Sequence, residues 1–387
     1  YIKMSEWADL PHDILIEIMR RLSFYDDFVM FGATCKSWQS VCSLENLPLS
    51  PRCPWLMLAE DNEQRNPTRV FVNLFDNKVY NFRLPELVRK KCFGTSFGWL
   101  LSVGTDFQMN LFHSLSKHLL SLPPQPNFED LDHHDDDFRI IFVDKCVLSR
   151  NPWNLVTHEY EGDCIIMVIY CNIKTLAFTR PGYKVWIDIK SHSRCFDDIA
   201  FYKGNFYAVD CHGEVFICHI DDDNAFTKSV TPRVLVTRDD MQKYLVESLG
   251  ELLLVSRKLK GNLYAEDDMD ETPYVTTGFT ILKLECSIEV KGKNEYKWVN
   301  VDSLGDQALF LGCNSSVSLS ASSFNGCKAN CIYFTDDNFD YSTASLNGLA
   351  YDMGVFSMED GTSKQHYKGK YLSSFNLHMT YALHMLI

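Results

Sequence analysis

The sequence predicts an α+β chain in two unequal parts: a small N-terminal module of three helices, then a large all-β domain, a β-propeller of six or seven blades. Three observations carry this. Helical periodicity is confined to the stretch before a proline-rich segment at 47–54. Beyond it, short apolar and aromatic runs alternate with Gly, Asn and Asp turns, the pattern of strands and hairpins. Those strand-rich units recur at intervals close to the roughly 40–45 residues of a propeller blade.

The helical part reads LPHDILIEIMRRLSFYDDFVMFGATCKSWQSVC over 10–42. Leu10-Pro11 opens its first helix, because a proline's missing N–H costs nothing in a first turn. Ile14, Leu15, Ile18, Met19 and Leu22 recur at helical spacing as one apolar stripe, with Glu17, Arg20 and Arg21 off it. Ser23 can cap a second short helix carrying Asp26 and Asp27 in its first turn, where carboxylates suit the dipole. Phe28, Met30 and Phe31 form its apolar side. Thr34 can cap a third helix with Trp38 and Val41. Helices this short cannot bury that much apolar surface among themselves, so some of it faces the rest of the chain or another protein. The alternative is a helical subdomain packed only on its own chain. The module is assigned to 7–46, a linker to 47–54, where LPLSPRCP holds three prolines, and the β domain to 55–387.

In the β domain, Trp55-Leu56-Met57-Leu58 and Val70-Phe71-Val72 are the first strand-like runs. Phe97-Gly98-Trp99-Leu100-Leu101-Ser102-Val103 and Met109-Asn110-Leu111-Phe112 pair about a turn at Gly104-Thr105-Asp106. Ile165-Ile166-Met167-Val168-Ile169-Tyr170 pairs with Leu176-Ala177-Phe178, and Lys184-Val185-Trp186-Ile187-Asp188 follows. The clearest unit is IAFYKGNFYAVDCHGEVFICHI at 199–220, a three-strand meander with turns at Gly204-Asn205 and His212-Gly213. Similar units follow at 244–284, at 298–319 and from Cys331-Ile332-Tyr333-Phe334 to the run at 354–359. The competing all-β reading is a sandwich.

Bulk composition bounds the function. A hydrophobic content of 46% with 13% aromatics supports a sizeable core. Residues 1–50 carry four basic and seven acidic side chains, which leaves −11 of the net −14 on the β domain. Nucleic acid is thereby disfavoured as a partner, since phosphate contacts need clustered Lys and Arg. The 14 cysteines are scattered without a CxxC pair, and Cys313, Cys327 and Cys331 lack finger spacing. No secretory signal is visible, which points to reduced thiols in the cytoplasm or nucleus. No run of 18 apolar residues suggests a membrane span. No cofactor and no metal are expected.

The helical stretch resembles an F-box. Leu10-Pro11, the acidic Asp13, the Ile14/Leu15/Ile18/Leu22 stripe, the Asp26-Asp27 turn and Cys35-Lys36-Ser37-Trp38 stand in the family's order and spacing. Phe31-Gly32-Ala33-Thr34 departs from it, since the family more often has Val or Leu just before the Cys. The β domain lacks the Gly-His…Trp-Asp pair and the Gly-Gly doublet of two common propeller families. Three stretches instead resemble the C-terminal domain of a large plant F-box family: VDSLGDQALFLG at 301–312, NCIYFTDD at 330–337 and Gly354-Val355-Phe356. In that family this domain, long of unknown function, is regarded as a propeller. The resemblance spans about 54–361, is strongest over 298–359, and stops before the tail at 371–387.

The resemblance implies a substrate-receptor subunit of a Skp–cullin–F-box ubiquitin ligase. Leu10, Pro11, Ile14, Leu15, Ile18, Leu22 and Phe28 would contact a Skp-type adaptor and, through it, a cullin. The propeller would present one face to a target protein, and the chain would do no chemistry. The rivals are an adaptor-bound protein that sequesters its partner without ubiquitylating it, and a propeller enzyme such as a glycosidase, marked by paired carboxylates. No HExxH or P-loop pattern occurs. EDLDHHDDD at 129–137 holds carboxylate and imidazole ligands. As a contiguous run after a Pro-rich stretch it reads better as a solvated loop, as does EDDMDE at 266–271. Asp221-Asp222-Asp223 reads as a turn between blades. Trp153, in the loop-like Asn151-Pro152-Trp153-Asn154, is the surface candidate for target binding, whereas Trp186 reads as core.

Overall fold

The computed structural model describes residues 5–21, 31–32, 34–41, 54–57, 67–76, 78–104, 106–113, 117–124, 143–154, 157, 159–170, 173–231, 240–260, 275–287, 295–312, 316–335, 352–364 and 380–382. In the N-terminal part these hold helices α1 (Ser5–Ala8), α2 (His12–Arg20) and α3 (Lys36–Val41). Pro11 stands just ahead of α2 in extended conformation, and its carbonyl accepts the amides of Ile14 and Leu15 at 3.1 Å. The turn α1 begins upstream of the helical pattern read from the sequence. Most of the expected second helix, with Ser23, Asp26 and Asp27, lies outside the described residues.

The single apolar stripe expected on α2 divides in two. Leu15 and Met19, one turn apart, are buried against Phe31 and Val41. Ile14 and Ile18 lie on the adjoining line, Ile14 exposed and Ile18 half-buried. The division follows from 100° per residue: a stripe five positions wide is broader than the groove that a two-helix contact covers. Trp38 ties α3 back to α1, its indole Nε1 donating to the Trp7 carbonyl at 2.9 Å while its ring packs 4.4 Å from Phe31.

From Pro54 the described chain forms six antiparallel or mixed sheets arranged as the blades of a propeller, with a few single turns of 3-10 helix between strands. The first blade holds β1 (Trp55–Met57), β2 (Thr68–Asn73) and β3 (Val79–Arg83). The second holds β4 (Lys90–Gly94), β5 (Trp99–Gly104), β6 (Met109–His113) and β7 (Leu119–Ser121). In the third, the link from β8 (Val143–Leu148) to the next strand carries a small hairpin, β9 (Trp153–Asn154) and β10 (Glu159–Tyr160). That blade is completed by β11 (Ile166–Tyr170), β12 (Thr175–Thr179) and β13 (Ile187–Asp188). The fourth, the meander expected from sequence, runs through β14 (Phe196–Tyr202), β15 (Asn205–Asp210), β16 (Val215–His219) and β17 (Phe226–Ser229). The fifth has the longest strands: β18 (Asp240–Ser248), β19 (Glu251–Lys260), β20 (Val275–Ser287) and β21 (Glu295–Asn300).

The sixth blade comprises β22 (Gln307–Leu311), β23 (Val317–Ser320), β24 (Cys331–Phe334), β25 (Gly354–Ser357) and β26 (Ser363–Lys364). It departs from the meander, because β22 lies between β23 and β24, antiparallel to the first and parallel to the second. The ring closes through β27 (Thr380–Ala382), which pairs with β1 and supplies the inner edge of the first blade.

The core is divided among the seams between blades rather than gathered at one centre. Blades one and two share Trp55, Phe71, Leu87 and Phe112; blades two and three share Trp99, Leu111, Cys146 and Val168. Phe178 meets Phe206 between three and four, and Val209 meets Leu254 between four and five. Val255 meets Ile332 between five and six, and Phe310 meets Leu56 and Val72 across the closing seam. An interior strand is therefore covered on both faces and reads as a continuous apolar run, as β5 does. An outer strand such as β3 alternates.

Several local expectations are corrected. Phe97-Gly98 belongs to a turn and not to β5: Phe97 has φ 60° and Gly98 φ 79°, where a Cβ would meet His113 Nε2 at 2.7 Å. The meander turn is centred on Lys203-Gly204, both with positive φ, which makes Asn205 the first residue of β15. Asp221-Asp222-Asp223 joins β16 to β17 within the fourth blade instead of linking blades. The unit read over 298–319 spans two blades, since Trp298 lies in β21 and the rest begins the sixth. Of Lys184-Val185-Trp186-Ile187-Asp188, only the last two residues are strand.

Candidate functional site

Two features of the structure bear on function: the outer face of the helical module and the innermost strands of the propeller. On the module, Leu10 is half-buried, Pro11 exposed and Ile14 45% exposed. With Ile18 they form a line along one side of α2, because positions three and four apart share a helix face, and Leu10 and Ile18 also rest on the module core. Leu15 is fully buried in the module core, so it supports this face from beneath and does not stand in it. Leu22 and Phe28 lie outside the described residues. Trp7, 64% exposed just upstream, adds a large apolar side chain that periodicity could not signal, because α1 is a single turn. At the C-terminal end of α2, Arg21 pairs with Glu17 at 3.0 Å in full solvent, a contact of little energetic weight.

In the propeller, the first strands of successive blades pack on one another around the axis: β27 on β4, β4 on β8, β8 on β14, β14 on β18 and β18 on β23. Their side chains carry a buried polar network. Lys145 on β8 makes an ion pair with Asp198 on β14, both enclosed. Asp198 also accepts the amide of Leu245 on β18 at 2.7 Å and the Ser316 hydroxyl at 3.5 Å, so one carboxylate joins blades three to six. Burial pushes its pKa up, and Lys145 and the amides of Leu245 and Ile199 oppose that shift. Next to it, Asp197 faces Lys243 of β18 at 3.7 Å. Burial outweighs the attraction of Lys243 and raises the Asp197 pKa to about 6. Farther out, Arg257 on β19 joins blades five and six. It donates to Asp352 Oδ2 at 3.0 Å, Thr276 Oγ1 at 2.8 Å and the Thr335 carbonyl at 2.7 Å, and it lies 4.6 Å over the Phe334 ring.

These charged residues were not singled out from sequence. The available signal was a lysine or arginine inside an otherwise apolar run, such as Lys145 in Val143-Asp144-Lys145-Cys146-Val147, but their partners are remote in the chain. Trp153 lies in the β9–β10 hairpin rather than a free loop. Its ring stacks on His118 at 3.8 Å and meets Tyr160 edge-on at 5.0 Å, so much of its surface is already covered. Trp186 is half-buried against the seam of blades two and three, with its indole donating to the Pro123 carbonyl at 3.0 Å. Among the described residues no group of three or more His, Cys, Asp or Glu side chains could hold a metal ion. The runs at 129–137 and 266–271 lie outside the described residues.

Comparison with known proteins agrees with this architecture. The F-box domain profile matches residues 7–49, and that of the KIB1-4 β-propeller matches residues 71–357. The Arabidopsis thaliana F-box protein At5g55150 is 27% identical over 344 residues, 86% of this chain and 86% of its own. At3g25750, a second F-box protein of that plant, is 26% identical over 94% of both chains. The Arabidopsis F-box protein SKIP23 is 25% identical over 92% of this chain and 90% of its own. With an F-box ahead of six blades whose profile match covers most of the sequence, the chain belongs to the KIB1-4 β-propeller family of plant F-box proteins.

Proposed function

We propose that this protein is the substrate-receptor subunit of a Skp–cullin–F-box ubiquitin ligase, docking on a Skp-type adaptor through the helical module and holding a target protein on the propeller. The observation that carries the reading is the line Leu10, Pro11, Ile14 and Ile18 on the outer side of α2. The module core beneath it is filled by Leu15, Met19, Phe31 and Val41; Leu10 and Ile18 rest partly on that core, which leaves Pro11 and Ile14 as the exposed part of the line. Leu22 and Phe28 are assigned to the same contact. On this reading the chain does no chemistry. It raises the effective concentration of target beside the conjugating enzyme. The adjacent buried carboxylates that a glycosidase reading would use are each set against a lysine, Asp198 against Lys145 and Asp197 against Lys243.

The test is a pull-down of the full chain with a Skp-type adaptor, together with a melting curve, comparing the parent with Leu10→Ala plus Pro11→Ala. Folded variant with binding lost supports the assignment, and folded variant with binding unchanged removes it. Proximity labelling with and without a proteasome inhibitor then separates a receptor from a sequestering protein. A receptor's target accumulates on inhibition, whereas a sequestered partner does not.

A further inference from the structure

The fourth blade brings two cysteines together at the end opposite the Lys203-Gly204 turn. Phe196 on β14 is paired with Asp210 on β15, and one step further the Cys211 amide donates to the Cys195 carbonyl at 2.9 Å. Cys195 and Cys211 are thus directly opposed across an antiparallel pair. The Cys195 sulfur acts on the Cys211 thiol both by charge and through a side-chain hydrogen bond, so the two sulfurs face each other. A disulfide spans about 4.4–6.8 Å between Cα atoms. Both residues are half-buried, within reach of small solutes.

Two further observations mark the pair. Cys195 has φ +69°, a left-handed conformation that a side chain other than Asn or Asp rarely adopts. The turn is fixed by its amide, which donates to the Ile173 carbonyl of the neighbouring blade at 2.9 Å. His212 Nδ1 stands 3.5 Å from the Cys211 sulfur. Burial, then the neighbouring Cys195 sulfur, pushes the Cys211 thiol pKa up to about 12, so Cys211 keeps its proton.

We propose that Cys195 and Cys211 form an oxidisable dithiol, a modification site that a peroxide converts to a cross-strand disulfide. The Cys195 thiol gives its proton to solvent and its sulfur attacks one peroxide oxygen; the O–O bond breaks, and the hydroxide that leaves takes a proton back from solvent as the first water, giving a sulfenic acid on Cys195. The Cys211 sulfur then attacks the Cys195 sulfur, and the S–O bond breaks. The Cys211 proton passes to His212 Nδ1 and from there to the departing hydroxyl, which leaves as the second water. In sum two thiols lose two electrons and two protons, and hydrogen peroxide is reduced to two waters. The bond fastens the start of β14 two residues before Asp197, the first of the two carboxylates that connect this blade to its neighbours.

The experiment treats the reduced full-length chain with hydrogen peroxide, alkylates the remaining thiols, and maps the peptides by mass. The expected result is a linked peptide pair containing Cys195 and Cys211, lighter by two hydrogens than the separate peptides and released by a thiol reductant. With Cys211→Ser the sulfenic acid on Cys195 persists and is trapped by a dimedone probe; with Cys195→Ser neither link nor trapped Cys211 is found. The oxidised parent should also melt at a higher temperature, reversibly with reductant. Full alkylation of both cysteines after peroxide, or a link from either one to a different cysteine, overturns the proposal. The map of the parent chain decides the matter even if a serine variant fails to fold.

Discussion

In the helical module an isoleucine stands in solvent, while in the propeller two lysines and an arginine are enclosed: Ile14 is 45% exposed, and the side chains of Lys145, Lys243 and Arg257 are 3%, 1% and 2% exposed. The two regions have opposite needs. The module is too small to cover its own apolar residues. The propeller has six apolar seams and can enclose charges, provided each meets a counter-charge. On the reading proposed above, the exposed apolar line is where a partner docks, and an enclosed ion pair marks where separate sheets hold one register.

The comparison can be broken most strongly at Arg257. Arg257→Ala leaves the buried Asp352 carboxylate without its counter-charge, and it should cost about 3–5 kcal/mol in denaturant unfolding. Lys145→Ala should cost a similar amount, because it leaves the enclosed Asp198 carboxylate without its counter-charge.

Acidity sharpens the contrast next. Asp197 has its pKa raised from 3.8 to about 6 in the folded chain by burial. Between those values the folded chain binds the proton more tightly than the unfolded one. This group's contribution is therefore fully present below pH 4 and lost as pH rises through 6, by up to about 3 kcal/mol. Asp197→Asn should remove that slope, read as the difference in melting temperature between pH 4.5 and pH 7 for the two proteins. Equal slopes would refute it.

On the module, Ile14→Asp should leave stability within about 0.5 kcal/mol, since the side chain is exposed. It should weaken adaptor binding roughly ten- to hundredfold, the equivalent of burying one Ile side chain. Titration against a Skp-type adaptor checks it. The smallest effect is expected at the β18–β19 turn, where Leu249 has φ 52° and Gly250 φ 79°. Such a turn favours Asn-Gly, so Leu249→Asn should stabilise by about 0.5–1 kcal/mol in a melting experiment.

What was legible in the sequence follows the range of each interaction. The meander of the fourth blade could be read because its turns and its alternation are local. The Leu15/Ile14 division was not readable from the stripe, since which side faces inward depends on Phe31 and Val41, held in place by helices elsewhere. The Lys145–Asp198 pair joins positions 53 apart, and periodicity carries no information across that distance. The parallel contact of β22 with β24 was equally hidden, because pairing order is a property of the sheet and not of either run. Trp153 reads as a loop residue because a two-residue strand leaves no period to detect.

The pairing of Trp55–Met57 with Thr380–Ala382 has a consequence for synthesis. The two strands are made at opposite ends of the propeller sequence. At about 5–20 residues per second, roughly 15–65 s separate Met57 from Thr380 on the ribosome. The helical module and the early blades emerge and can fold during that interval, yet the inner edge of the first blade stays unpaired throughout. A chain that stops before Thr380 would thus keep its helical module and carry a permanently open sheet edge, which is prone to aggregate. Completion of the ring therefore waits on the Thr380–Ala382 strand.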